Sequence, residues 1–313
     1  MVLKPDPRTA VCGGVVFARI FEEAGLPDGL FHVLPGGADV GAAVVDAPLI
    51  RVIAFTGSTR AGKIIAEKAA KRLKRVHLEL GGNSALIVLD DVDLENAVSV
   101  GAFGSFNHSG QICMATSRHL VADAIAADYA AALAEHADRI PVGDPTRDDV
   151  GMGPIIDAAQ RDRIHDVVTA SVDAGATLRA GGTYEGLFYR PTVLSEVPLS
   201  APAYAQEIFG PVAPVVPFSS LDEAAALAGG TEYGLSLGIL TRDVVKGLGL
   251  AERIPSGLVH INDQTVNDEA LIPFGGVGES GTGSRHGGAQ ANLEAFTETQ
   301  WVTVRGDLPA YPF

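Results

Sequence analysis

The 313 residues carry 38 acidic side chains against 23 basic ones, a formal net charge of −15, which disfavours nucleic acid and anionic membrane as principal partners. Hydrophobic residues make up 47% and charged residues 19%, the balance of an ordinary soluble globular protein with length enough for two domains. Two cysteines, Cys12 and Cys113, give neither a disulfide framework nor a C-x-x-C pair; no apolar run is long enough to span a bilayer, and "MVLKPDPRTA" has no signal-peptide core, so a reducing cytoplasm is the expected location.

Taken in order, Val2–Leu3 reads as the end of a strand and "RTAVCGGVVFARIFEEAG" as a helix closed by Gly25. "LFHVLPGG" is a strand entering a turn, "ADVGAAVVD" a short helix and "RVIAF" a strand. A basic helix follows (Ile64 to Leu73), with Ala66, Ala69, Ala70 and Leu73 as its apolar stripe, and then the strand "RVHLEL". "SALIVL" opens a second set, in which Asp93 N-caps "LENAVSVGAFGSF", and "RHLVA", "PVAPVVPF", "LSLGILT" and "GLVHIND" are strands among amphipathic helices. Apolar strands alternating with helices predict a doubly wound parallel α/β sheet. The units expected are a dinucleotide-type unit at 1–80, a catalytic α/β domain at 81–272 and a C-terminal return at 273–313. That return ends in a strand around Trp301, which needs a neighbouring sheet to pair with.

The stretch "GSTRAGKI" from Gly57 falls one residue short of the phosphate loop G-x-x-x-x-G-K-[ST]. Ile64 stands where that loop needs a hydroxyl for Mg²⁺, which argues against a triphosphatase. A strand, a Gly-rich turn and a helix N-terminus still suit a phosphate. Glu79, at a strand end before Gly81-Gly82, is either a general base or a surface carboxylate. Cys113, in "NHSGQICMATSRH", is expected ahead of a short helix that would lower its pKa and make it a nucleophile; the alternative is a small buried hydrophobe. Cys12 reads as inert, and His77 as packing or surface. His108 suggests a Cys–His hydrolase, but no oxyanion motif accompanies it.

"VLKP", "FTGSTRAG", "LELGGNSALIV", "GQIC" and "EIFGPV", in this order, resemble the aldehyde dehydrogenase superfamily, and Glu79 precedes Cys113 by the family's 34 residues. "LKPDPRTAVCGG", "NDQTVNDEA" and "AFTETQWVTVRG" resemble its bacterial benzaldehyde (aryl-aldehyde) branch. The resemblance implies a Rossmann-type unit beside a catalytic domain, oxidation of an aldehyde through a Cys113 thiohemiacetal and thioester, and Glu79 as the base for water. It implies NAD or NADP as cofactor, with Gly57, Ser58 and Gly62 at the pyrophosphate, Lys4 at the adenosine ribose, Glu207 at the nicotinamide ribose and Phe209 beside it. Pro7 stands where the family often has a ribose-binding glutamate, so NADP is expected to be accepted as well as NAD. A homo-oligomer paired through the C-terminal strand is also implied. Family members carry a further βα-bearing region before "VLKP", with an oxyanion asparagine, so a weakly active, poorly soluble chain, or an inactive remnant binding dinucleotide or a full-length relative, is the alternative expectation.

Overall fold

The computed structural model describes all 313 residues. Two short parallel pairs come first. In the first, β1 (Val2–Leu3) lies beside β2 (His32–Val33). Between them a π-helical turn, Val11–Val15, runs into α1 (Val16–Glu23), and Gly25 ends that helix with φ +79°. The second pair follows α2 (Ala38–Asp46) and joins β3 (Val52–Thr56) to β4 (Arg75–Glu79) across α3 (Thr59–Ala70).

Only Pro5, Gly14 and Val45 are buried in the first fifty residues. Phe17 and Ile20 of α1 therefore stand half in water, and Cys12, read as inert, is exposed. The core of the second pair is small, built on Val45, Ile53 and Ala69.

Most of the chain wraps one large sheet. Its strands are β5 (Ser84–Val88), β6 (Thr116–Ala122), β7 (Thr177–Ala180), β10 (Thr192–Ser195), β11 (Val212–Phe218), β13 (Ser236–Leu240) and β14 (Leu258–Ile261). The hairpin β8 (Tyr184–Glu185) and β9 (Phe188–Tyr189), and the pair β12 (Tyr233–Gly234) with β15 (Val277–Gly278), stand outside it. The order is β14-β13-β5-β6-β11-β10-β7, parallel throughout except for the edge pair β10–β7.

Helices α4 (Leu94–Phe106) and α5 (Asp123–Arg139) cover one face, where Leu86 and Val88 meet Val98 and Leu133. Helices α6 (Ala158–Asp173), α7 (Pro202–Ala205), α8 (Leu221–Gly229) and α9 (Val244–Ala251) cover the other, where Ala85 and Ile87 meet Ile164, Ala224 and Leu250. Burial on both faces explains why the strands read as unbroken apolar runs rather than alternating ones. The N-cap expected at Asp93 is formed: its Oδ1 accepts the Asn96 N–H at 3.0 Å. No helix is long and apolar enough to cross a membrane.

Two expectations are corrected. The terminal strand is not formed: α10 (Ala289–Phe296) is the last regular element, and Trp301 is 91% exposed. Residues 297–313 lie against no sheet edge, and an extended segment without one has nothing to satisfy its backbone. The basic run around α3 is only partly a solvated face. Lys74 is buried, its ammonium donating to the carbonyls of Val45 and Ala47 at the end of α2, while Arg75 donates to Glu294, Ala295 and Thr297 at the end of α10. Both cations meet the negative poles of helices.

Candidate active site

The Gly-rich turn after β3 is packed against the end of β4. The Gly57 N–H donates to the Glu79 carbonyl at 3.0 Å, and Ser58 N-caps α3, its Oγ accepting from the Ala61 N–H at 3.3 Å. A Cβ on Gly62 would lie 2.4 Å from Leu80, so the helix can approach β4 only there. The turn thus fixes the strand that carries Glu79, while Ser58 already caps one N–H of the helix start. Ile64 presents hydrocarbon, half exposed, where a metal-binding hydroxyl would be needed. Lys4 lies on the other parallel pair, its side chain 3.8 Å from where a Cβ on Gly41 of α2 would stand.

Cys113 sits in the turn between the single 3₁₀ turn Asn107–Gly110 and β6. The short helix expected after it does not form, because Ala115 already leads into the strand. The electrostatic expectation reverses with it. Burial, then the charges of Glu207 and Glu79, push the thiol up to about 11, against the pull of the Met114 and Cys113 N–H groups. At neutral pH the sulfur is therefore a protonated thiol.

Glu79 ends β4 as a buried carboxyl, pushed up to about 7 by desolvation, which the Gly276 N–H and Arg285 only partly offset. One of its oxygens, Oε2, is buried without a hydrogen-bond partner. Glu207 comes from the loop between α7 and β11, and burial raises its pKa as well. Its Oε1 accepts the Gly82 N–H at 3.0 Å.

Gly81-Gly82 is what brings these groups together. A Cβ at Gly81 would meet Glu207 Oε2 at 2.3 Å, and one at Gly82 would meet the Cys113 carbonyl oxygen at 2.5 Å. The turn that carries Cys113 packs on the same loop, since a Cβ on Gly110 would stand 2.2 Å from the Gly210 carbonyl oxygen. Phe209 holds φ +54°, a conformation costly for a side-chain-bearing residue. The structure thus brings Glu79, Cys113 and Glu207 to one place, with Gly57, Ser58 and Gly62 one turn away.

Several supporting residues gave no sequence signal. Arg163 of α6 donates to the carbonyls of Glu207 and Ile208, and Gln160 donates to those of Ile208 and Phe209, which fixes the strained loop. Arg118, fully buried with no carboxylate partner, donates to the Asn83 carbonyl from both Nε and Nη2 and so clamps the turn after Gly82. Thr265 Oγ1 donates to the carbonyl of Met114, next to Cys113. Each contact joins segments that are far apart in sequence. Gly81-Gly82 was visible, but as a turn rather than as the floor beneath Glu207 and Cys113. His77 is confirmed as packing, 5.6 Å from the Phe296 ring and hydrogen-bonded to the Ala295 carbonyl.

The profile of the aldehyde dehydrogenase family matches residues 1–302. The chain belongs to the aldehyde dehydrogenase family. A vanillin dehydrogenase of Amycolatopsis sp. (strain ATCC 39116 / 75iv2) is 67% identical over all 313 residues, and a benzaldehyde dehydrogenase [NAD(+)] of Pseudomonas putida is 50% identical over the same span. In both cases this aldehyde dehydrogenase chain covers 64% of the relative's length. The crystal structure of an NAD-dependent aldehyde dehydrogenase from Sinorhizobium meliloti superposes with a TM-score of 0.94 at 35% identity, over 100% of this chain and 62% of that one. The α/β sheet described above is thus the family's own fold.

Proposed function

We propose that this site oxidises an aromatic aldehyde to its carboxylic acid, with NAD or NADP as the hydride acceptor. The observation that carries the reading is the convergence of one thiol and two buried carboxylates, Cys113, Glu79 and Glu207, on the Gly81-Gly82 turn. The aromatic class is supported by relatives named for vanillin and benzaldehyde.

The residues present fit a dinucleotide. The start of α3, where Ser58 caps only the Ala61 N–H, suits a pyrophosphate through its remaining N–H groups, and Gly62 lets that helix approach. Lys4 would meet a ribose hydroxyl. Glu207, a carboxylate with a single N–H donor on Oε1, keeps acceptor capacity for hydroxyls of a second ribose beside Phe209. Pro7 brings no carboxylate against a 2′-phosphate, and the Asp6 carboxylate is already paired with Arg8 at 2.9 Å, so both cofactors are accepted in this reading. When bound, the nicotinamide supplies the acceptor for hydride.

The chain's own residues do the rest. The Cys113 thiol adds to the aldehyde carbonyl, its sulfur bonding to carbon and its proton passing to oxygen, which gives a thiohemiacetal. Loss of hydride from carbon and of the hydroxyl proton leaves a thioester on Cys113. Glu79 takes one proton from water as that water attacks the thioester, and the sulfur leaves with the water's second proton, so that the product departs as the carboxylate and Glu79 is left protonated. A carboxyl near pH 7 in affinity suits a base that must accept a proton and then lose it. Two experiments test the reading. Purified chain with benzaldehyde and NAD+ is expected to produce NADH, and Cys113→Ala is expected to abolish it; undiminished turnover in Cys113→Ala refutes the reading. Dissociation constants measured for NAD and NADP are expected to lie within about tenfold of each other, roughly one lost charge contact, and a strong preference for NAD removes the second cofactor.

A further inference from the structure

Glu79 has a titratable neighbour on the segment that crosses the end of β4. His286 Nδ1 lies 4.0 Å from Glu79 Oε1, and the two side chains differ sharply in access to water: 46% exposed for the imidazole, 9% for the carboxylate. The imidazole is held in place from both sides of the chain. His286 and Phe274 exchange both backbone hydrogen bonds, and their rings are 5.4 Å apart. Glu79 is itself bridged antiparallel to Gly281, so the 274–286 segment lies across the end of β4.

The charged groups facing this pair are few. Asp268 from the loop after β14 favours the imidazolium and His77 on β4 opposes it, while burial is the largest influence and keeps the ring neutral. Arg285 acts on the carboxylate. A buried base has a difficulty that an exposed one lacks: once protonated, it must shed the proton before it can act again, and only 9% of the Glu79 side chain is exposed.

We propose that His286 is the proton exit for Glu79: the proton taken from the attacking water passes from the carboxyl to Nδ1, and the Nε2 proton leaves to solvent. Each transfer balances, since an O–H bond breaks as an N–H bond forms, and the Nε2–H proton goes to a water molecule. A small side-chain rotation closes the 4.0 Å gap, as is common when catalytic contacts tighten only in the loaded site. The relay acts through Glu79 and touches neither substrate nor cofactor. It rests on the general-base role proposed for Glu79.

The experiment is ester hydrolysis without cofactor. p-Nitrophenyl acetate acylates Cys113 with a burst of p-nitrophenolate, and the slower turnover that follows reports deacylation; both are read above a Cys113→Ala blank. In His286→Phe, which keeps a ring against Phe274, the burst is expected to stay within about twofold while turnover falls about tenfold, less than the roughly 10²–10⁴ of a group that transfers the proton to or from the reacting atoms directly. Added imidazole is expected to restore most of that loss, which no merely structural role would allow. His286→Gln provides the same comparison if the phenylalanine variant misfolds. A retained burst with unchanged turnover, or a loss that imidazole leaves uncorrected, overturns the relay alone. A burst absent, or present equally in Cys113→Ala, overturns the nucleophile assignment and the relay with it.

Discussion

Replacing Glu79 with glutamine removes a charge that the fold penalises. The folded carboxyl sits at about 7 against an ordinary 4.5, so between those values the native chain holds a proton that the unfolded chain has released. Stability contributed by that proton is complete below the ordinary value and is lost as pH rises through 7. Relative to neutral glutamine, wild type is then disadvantaged by about 3 kcal/mol at pH 8.5 and about 1 kcal/mol at pH 5. Any packing difference between the two side chains is the same at both pH values and cancels. Urea unfolding followed by far-UV circular dichroism measures it; Trp301, already in water, reports nothing useful. Glu79→Gln is expected to gain about 2 kcal/mol more at pH 8.5 than at pH 5. An equal effect at the two pH values would mean that Glu79 titrates normally, and the account of it as a poised base would fail. The same substitution is expected to leave acylation of Cys113 intact and to stop deacylation, so the variant is more stable and less active.

Other expectations follow from the same geometry. Iodoacetamide should label Cys113 slowly at pH 7 and about tenfold faster per pH unit up to its pKa of about 11; Glu207→Gln should speed labelling at neutral pH, and an unchanged rate would remove Glu207 from the sulfur's surroundings. Gly110→Ala must push a methyl group into the Gly210 carbonyl from a backbone at φ +64°, and should cost at least about 3 kcal/mol by thermal or urea unfolding; a neutral result would mean the two loops are not packed together. Thr265→Val leaves the Met114 carbonyl and the Thr116 hydroxyl without their partner, with an expected loss of about 1–3 kcal/mol that Thr265→Ser restores. Isothermal titration with NAD+ should find Glu207→Ala weakened by about tenfold or more, the scale of a lost charge-assisted hydrogen bond.

What the sequence determined by itself was whatever depends on neighbouring residues and on which surfaces must be buried. Apolar runs such as "SALIVL" had to be strands with both faces covered, Asp93 had to cap its helix, and the "FTGSTRAG" turn could not hold a magnesium ion through Ile64. The motifs around Glu79, Cys113 and Glu207 also named the family before any coordinates. Tertiary structure alone decided the state of those groups. The thiol was expected to be acidified by a following helix and is instead held up by partial burial and the charges of two carboxylates, because the turn at Cys113 leads straight into β6 and Glu207 folds back 125 residues onto Gly82. The terminal segment, strand-like in its alternation, stayed extended for want of an edge to pair with. The proximity of His286 to Glu79 was equally invisible, since no spacing rule connects residues brought together by a loop crossing the end of β4. Local propensity and burial pattern are written along the chain, whereas desolvation and charge–charge repulsion depend on distances that exist only after the chain has closed on itself.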